Sequence, residues 1–279
     1  MIRDRPPYVK SNQPRFVLYI AEPKLQLDNF MSEKITIITG ASRGIGQATA
    51  LLLAKQGHKV CINYHNATSR ALETVSLIEK AGGVAIAVQA DVSDEKQVVA
   101  MFEKVDRDLG SITGLVNNAG VLMHQSTIEN LTFDRLTRIF ATNAIGSFLC
   151  CREAVKRMST KNGGFGGCIV NVSSAASRLG APNEYVDYAA TKGAMDSLTR
   201  GLSIEVAGYG IRVNAVRPGF IHTEMHADGG EANRVDRMSN TLPMGRGGHP
   251  SEVAEAISWL ISDKSSYATG TFIDLAGGK

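Results

Sequence analysis

No apolar run in the 279-residue sequence approaches the roughly 18 residues that a membrane span needs, so a soluble chain is expected. Charge of one sign is also missing. The formal net charge is +3, and +2 of it sits in the first thirty residues, which hold five Lys/Arg against three Asp/Glu. No basic stripe or aromatic-interleaved patch is present, so neither nucleic acid nor a membrane is expected as a partner. The four cysteines, Cys61, Cys150, Cys151 and Cys168, show no C-x-x-C or Cys/His ligand spacing. That pattern fits a reduced, cytoplasmic chain with no structural zinc. Cys150 and Cys151 lie in an apolar helical run that suits packing rather than bridging.

Residues 1–30 lack helical or strand periodicity, and they lack the apolar core and small-residue cleavage site of a secretory signal. They read as an N-terminal extension, either a disordered tail or the product of an upstream start codon. The functional domain is expected over 31–279.

From Met31 onward, strand-like and helix-like segments alternate. "KITIITG" (34–40), "HKVCINY" (58–64), "VAIAVQAD" (84–91), "ITGLVNNAG" (112–120), "CIVNVSS" (168–174), "IRVNAVRPG" (211–219) and "GTFIDLAGG" (270–278) are the strand candidates. They are near-continuous apolar runs, as strands covered by helices on both faces should be. Helical periods fill the gaps, including a long helix over about 132–158 and another near 185–207. The expected fold is α/β: a single Rossmann-type, doubly wound parallel sheet of about seven strands flanked by helices. Ser93 and Asp94 both suit the N-cap of the third helix.

"TGASRGIG" (39–46) joins the first strand to the first helix. Gly40, Gly44 and Gly46 permit a tight turn and close backbone approach, with a helix N-terminus facing a pyrophosphate. A further absence bears on the nucleotide. A ribose 2′-hydroxyl is usually held by an acid at the end of the second strand, yet "CINYHN" has none between Lys59 and Asn66. Arg43 lies in the turn and His65 just past the strand. A missing acid beside a cation favours a 2′-phosphate, so NADP(H) is expected over NAD(H), with NAD(H) use still possible.

"EYVDYAATKGA" (184–194) sets Lys192 four residues after Tyr188, and no other tyrosine has lysine at that spacing. On a helix the two share a face. A free phenol has a pKa near 10, and a nearby cation is expected to lower it. Together with "TGASRGIG", "NNAG" (117–120), "NVSS" (171–174) and "RPG" (217–219), this stretch resembles the short-chain dehydrogenase/reductase family. The resemblance runs from about Ile35 to Lys279. "VSSAASRLGAPNEYVDYAATKGA" and "RPGFIHTEMHADGGE" are similar to a bacterial branch of glucose-dehydrogenase-like, sugar-type oxidoreductases.

The resemblance implies an NADP(H)-dependent oxidoreductase moving hydride between nicotinamide and a ketone or secondary alcohol, sugar-like or 3-oxoacyl. Tyr188 would be the general acid/base and Lys192 its partner. Ser174 would position the substrate oxygen, and Asn143 would hold a water in a proton relay. Ser174 stands one residue further from the tyrosine than is usual, and Ser173 is left to cap or pack. The cofactor would be lined by Gly40, Ser42, Arg43, Gly44, Ile45 and Gly46; by Asn63, Tyr64 and His65; by Asp91 and Val92; and by Asn118, Ala119 and Gly120. Tyr188 and Lys192 would join these, with Pro218, Gly219, Ile221 and Thr223 on the nicotinamide side. The family implies a homo-oligomer, tetramer or dimer, and a small-molecule carbonyl or alcohol as partner. A nicotinamide-binding regulator without catalysis is the alternative.

No metal site is expected, because His222 and His226, with Glu224 between them, have no third ligand in view. Residues 222–249 read as a long loop over the pocket, with Met225, Met238, Leu242 and Met244 as an apolar cover. Tyr185 is expected in the pocket wall.

Overall fold

The computed structural model describes residues 33–279, which form one unit. The extension expected at 1–30 lies outside the described residues. Seven strands form one parallel sheet: β1 (Ile35–Ile38), β2 (Lys59–Tyr64), β3 (Val84–Gln89), β4 (Gly114–Asn117), β5 (Gly167–Val172), β6 (Ile211–Pro218) and β7 (Phe272–Leu275). Their order is β3-β2-β1-β4-β5-β6-β7. The winding reverses between β1 and β4, which opens a crevice beyond their C-terminal ends.

Both faces of the sheet are covered, which explains the unbroken apolar strands. Successive residues alternate sides. Ile35, Ile37, Leu115 and Ile169 pack beneath α3 (Glu95–Asp108), α5 (Gly146–Met158) and α7 (Val186–Val206). Ile38, Val60, Ile62 and Val170 pack beneath α1 (Gly44–Lys55), α2 (Thr68–Lys80) and α10 (Pro250–Ile261). All four cysteines are buried free thiols in these two cores, and burial raises the pKa of each. They act as small apolar residues. Asp94 caps α3, accepting from the amides of Lys96 (2.9 Å) and Gln97 (3.2 Å), while Ser93 turns back to Asp91.

Two expectations need correction. The long helix over 132–158 is not continuous α-helix. It runs as α4 (Phe133–Phe140), a π turn at Ala141–Ile145, then α5. The wider turn carries Asn143, whose amide is claimed from outside the helix. Residues 222–249 are not one open loop either. They contain α8 (Met225–Asp228) and α9 (Arg234–Ser239), tied down by a bridge between Ile221 and Gly248. Only Met225 and Met238 of the expected apolar cover line the cavity beside Tyr188. Leu242 and Met244 line a separate one near the end of β7.

Candidate active site

The glycine turn sits at the crevice, but its glycines answer different demands. Gly40 and Gly44 have φ of +62° and +56°, which L side chains rarely adopt. Gly46 is required by packing: a Cβ there would lie 2.5 Å from Asn118 Nδ2 and 2.6 Å from the Gly40 carbonyl oxygen. Neutral amides brace the turn from beneath. Asn63 accepts from the Gly40 amide (3.2 Å) and donates to the carbonyl of Ala90 (3.0 Å). Asn118 donates to the carbonyls of Thr39 (2.8 Å) and Gly40 (3.0 Å). These side chains are spent inside the protein and support the crevice floor.

The crevice has a volume of about 440 Å³. Gly40, Ser42, Arg43, Gly44 and Ile45 line it at the turn, and Asn63, Tyr64 and His65 line it at the end of β2. Asp91, Val92, Asn118, Ala119, Gly120 and Thr223 complete the expected set there. Gly46 does not line it and lies in the packing below. The first amides of α1 have no intrahelical partner and follow directly on the glycine turn that lines the crevice. This donor set, in a cleft at the switch point of the sheet, fits a dinucleotide.

Arg43 is not a free cation. It pairs with Glu224 (3.0 Å) and with Asp228, and Arg70 on α2 pairs with the same Glu224 oxygen. Arg70 also lines the crevice. Sequence reading missed it, since it is one of several charged residues in an exposed helix.

A second cavity, about 460 Å³, abuts the first, with Ile45, Asn118, Thr223 and Met225 lining both. Ser174, Tyr188, Lys192, Pro218, Gly219 and Ile221 line it. Lys192 Nζ lies 5.6 Å from the Tyr188 ring centre and donates to the Val172 carbonyl at 2.7 Å. Both adjacent serines line this cavity, but their hydrogen-bond partners differ. Ser173 is buried and donates to Asp196 (2.6 Å), which also holds Arg217 (2.9 Å). Ser174 lines the cavity, and its hydroxyl oxygen accepts from the Ala176 amide at 3.1 Å. Ser173 is thus held by a short bond to a charged partner, whereas Ser174 donates to the Pro218 carbonyl at 3.4 Å and is the freer hydroxyl.

The expected lowering of the phenol is corrected. Burial dominates and pushes Tyr188 up to about 12, against smaller opposing pulls from the Ser174 hydroxyl and the charge of Arg234. Burial lowers Lys192 to about 8, with Asp196 opposing. The lysine ammonium thus loses its proton before the phenol does. The fixed positive charge acting on Tyr188 comes from Arg234.

Asn143 is fully buried and lines neither cavity. Its Oδ1 accepts from the Val121 amide (2.7 Å), and Nδ2 donates to the Val121 carbonyl (3.0 Å) and to Thr191 (3.3 Å). This two-way clamp fixes the chain after Gly120 against α7 and keeps the π turn in place. A Cβ on Gly120 would stand 3.5 Å from Asn143 and 3.7 Å from Lys192 Nζ, so both groups converge there.

Tyr185 stands in the cavity wall, donating to the Gly229 carbonyl at 3.1 Å. His222 stacks on His249 (5.3 Å between ring centres), whereas His226 Nε2 meets the Ile221 carbonyl (3.1 Å). The two imidazoles have diverging partners. Among the described residues no His/Cys/Asp/Glu cluster has metal-binding geometry, and no helix is long and apolar enough to cross a membrane.

Comparison with known proteins agrees with this geometry. Residues 40–279 match a family model described as enoyl-(acyl carrier protein) reductase. The chain is 64% identical over 245 residues to the uncharacterized oxidoreductase YgfF of Escherichia coli, covering 88% of this chain and 99% of that one. It is 34% identical to glucose 1-dehydrogenase 2 of Bacillus subtilis, covering 89% of this chain and 95% of that one. A dehydrogenase/reductase from Sinorhizobium meliloti superposes with a TM-score of 0.81 at 32% identity, covering 88% and 94% of the two chains. With a family model matched over most of the chain and relatives more than 30% identical along nearly their whole length, the chain belongs to the short-chain dehydrogenase/reductase family and is an NAD(P)-dependent oxidoreductase.

Proposed function

We propose that the protein is an NADP(H)-dependent oxidoreductase that interconverts a ketone and a secondary alcohol. The observation that carries this reading is the convergence of Tyr188, Ser174 and Lys192 on one cavity that opens into the crevice over the glycine turn. Bound in the crevice, the nicotinamide supplies or accepts the hydride. Tyr188 passes a proton to the substrate oxygen as negative charge develops there, and Ser174 donates a hydrogen bond to the same oxygen. Lys192 holds the ribose side, anchored by its hydrogen bond to the Val172 carbonyl. Asn143 positions the Gly120–Val121 segment between them, at one end of the proton path.

The preference for NADP(H) rests on the absent acid at the end of β2 and on two guanidinium groups, Arg43 and Arg70, that meet on one Glu224 oxygen. A 2′-phosphate would take the place of that carboxylate. Homo-oligomerisation is supported by the apolar residues left exposed on α4, α5 and α7, among them Phe133, Phe148 and Ile204.

The test follows reduced nicotinamide absorbance with NADPH and NADH separately, on a carbonyl panel, in wild type and Tyr188→Phe. NADPH-preferred turnover that falls by about a hundredfold or more in the variant, with cofactor binding retained, is expected. Cofactor binding without turnover of any carbonyl would instead favour a nicotinamide-binding regulator.

A further inference from the structure

The substrate cavity holds a buried charge besides the Ser174, Tyr188 and Lys192 set. Arg234, on α9, is 8% exposed and lines the cavity. Its guanidinium carbon lies 4.6 Å from the Tyr185 ring centre and 5.2 Å from that of Phe220. The two rings shield it from water without supplying acceptors. Nη2 pairs with Glu184, and Nε is buried with no partner. Glu184 also faces Arg237 at 3.5 Å, so its charge is shared.

A guanidinium has five N–H donors. Burying it is costly unless the charge is paired and the donors are satisfied. Here the shared carboxylate of Glu184 is the only acidic side chain among the cavity-lining residues, against three cationic ones, Lys192, Arg234 and Lys279. Lys279 Nζ lies 5.0 Å from the same Phe220 ring. The cavity wall therefore carries an unbalanced positive charge beside the reacting tyrosine.

Among the described residues one other buried side-chain nitrogen has no partner, Nδ1 of His226. Because His226 Nε2 meets the Ile221 carbonyl, Nε2 carries the proton and Nδ1 is left as an acceptor. It does not attract an anion, which leaves Arg234.

We propose that Arg234 is a specificity-determining residue that binds a carboxylate on the substrate, so that the enzyme acts on oxo acids and hydroxy acids in preference to neutral carbonyls. The inference rests on the reading of Tyr188 and Ser174 as the reacting centre. A planar carboxylate matches the guanidinium through two parallel hydrogen bonds. The unused Nε is one of the donors it would engage.

The test compares matched pairs of short oxo acids and their methyl esters, with NADPH, in wild type, Arg234→Gln and Glu184→Gln. Wild type should favour the acid in kcat/KM. Arg234→Gln should reduce the acid-to-ester ratio by about tenfold or more, mainly through KM, as loss of a hydrogen bond to a charged group does. Glu184→Gln releases the guanidinium from its internal partner and should raise the ratio, and it carries the test if Arg234→Gln fails to fold. Calorimetric binding of the same acid and its amide to the NADP-loaded protein gives a readout independent of turnover. Equal use of acid and ester by wild type, or a ratio unchanged in both variants, would make Arg234 only a latch for α9 and overturn the inference. Arg234-dependent acid binding with no turnover of any substrate would uphold it while overturning the proposed function.

Discussion

The cofactor crevice and the substrate cavity share four lining residues, yet they are built from different interactions. Beneath the crevice floor the polar work is done by neutral amides, and the ion pairs of Arg43 and Arg70 lie at its exposed rim. Asn63 and Asn118 are committed to backbone groups, and glycine supplies the turn. Around the cavity it is done by buried charge: Lys192 against the Val172 carbonyl, Arg234 against Glu184, and Ser173 with Arg217 on Asp196. A neutral brace carries no charge to desolvate and fixes geometry at every pH. Buried charges cost desolvation free energy, but they act on the proton affinity of a neighbour, as Arg234 opposes part of the rise that burial imposes on Tyr188. The region that holds an invariant ligand uses the first kind, and the region where protons move uses the second.

Substitutions can break this contrast. The largest effect is expected at the adjacent serines. Ser174→Ala should lower kcat by about a hundredfold, as removal of an oxyanion donor does. Ser173→Ala should appear as a loss of about 1–3 kcal/mol in denaturant unfolding, because it strips a hydrogen bond from partly buried Asp196. Equal kinetic losses at both positions would show that the cavity does not distinguish them.

Lys192→Met comes next and separates charge from shape. Folding lowers the lysine pKa from 10.5 to about 8, so the folded state binds fewer protons than the unfolded state between those values. The lysine's contribution to stability is therefore least favourable below pH 8 and improves as pH rises towards 10.5. Measured against Lys192→Met, wild type should gain roughly 3 kcal/mol across that window. A stability difference that stays flat with pH would mean that the ammonium is not desolvated.

In the crevice, Gly46→Ala should be worse than Gly44→Ala. The first drives a Cβ into Asn118 and the Gly40 carbonyl, whereas the second meets only Thr223 at 3.4 Å and bears backbone strain. Overpacking of about 1–3 kcal/mol, with weaker NADPH binding, is expected at Gly46 and about 1–2 kcal/mol at Gly44. The reverse order in calorimetry would place the tight approach elsewhere. The smallest effect is expected from Glu224→Gln, which frees Arg43 and Arg70. It should tighten NADPH binding a few-fold at low salt, with the gain fading as salt rises. Unchanged NADPH binding at low salt would remove the two arginines from phosphate recognition.

What was legible depended on range. The seven strands were readable because double-sided burial makes most strand residues apolar, and the Tyr188/Lys192 pair because a helix brings residues four apart onto one face. The choice between Ser173 and Ser174 was not readable from the strand alone. Both serines lie just beyond β5 and line the same cavity, and Asp196 on α7 with Arg217 on β6 decides which hydroxyl is occupied. The π turn was hidden as well, since Asn143 is drawn in by the Val121 backbone and not by its own helix. Arg234 gave no signal within "EANRVDR". Its partner Glu184 is fifty residues away in the chain, and the rings beside it belong to Tyr185 and Phe220.

The order of strands and helices, the glycine turn and the spacing of the acid–base pair were determined by the sequence itself, because each follows from apolar periodicity or from contacts within one or two turns. Tertiary structure decided which polar groups remain free to act. Desolvation and pairing depend on neighbours brought together from distant segments. Only packing could assign Ser173, Asn63 and Asn143 to bracing, raise the Tyr188 phenol and lower Lys192, and leave the Arg234 guanidinium underpaired beside them.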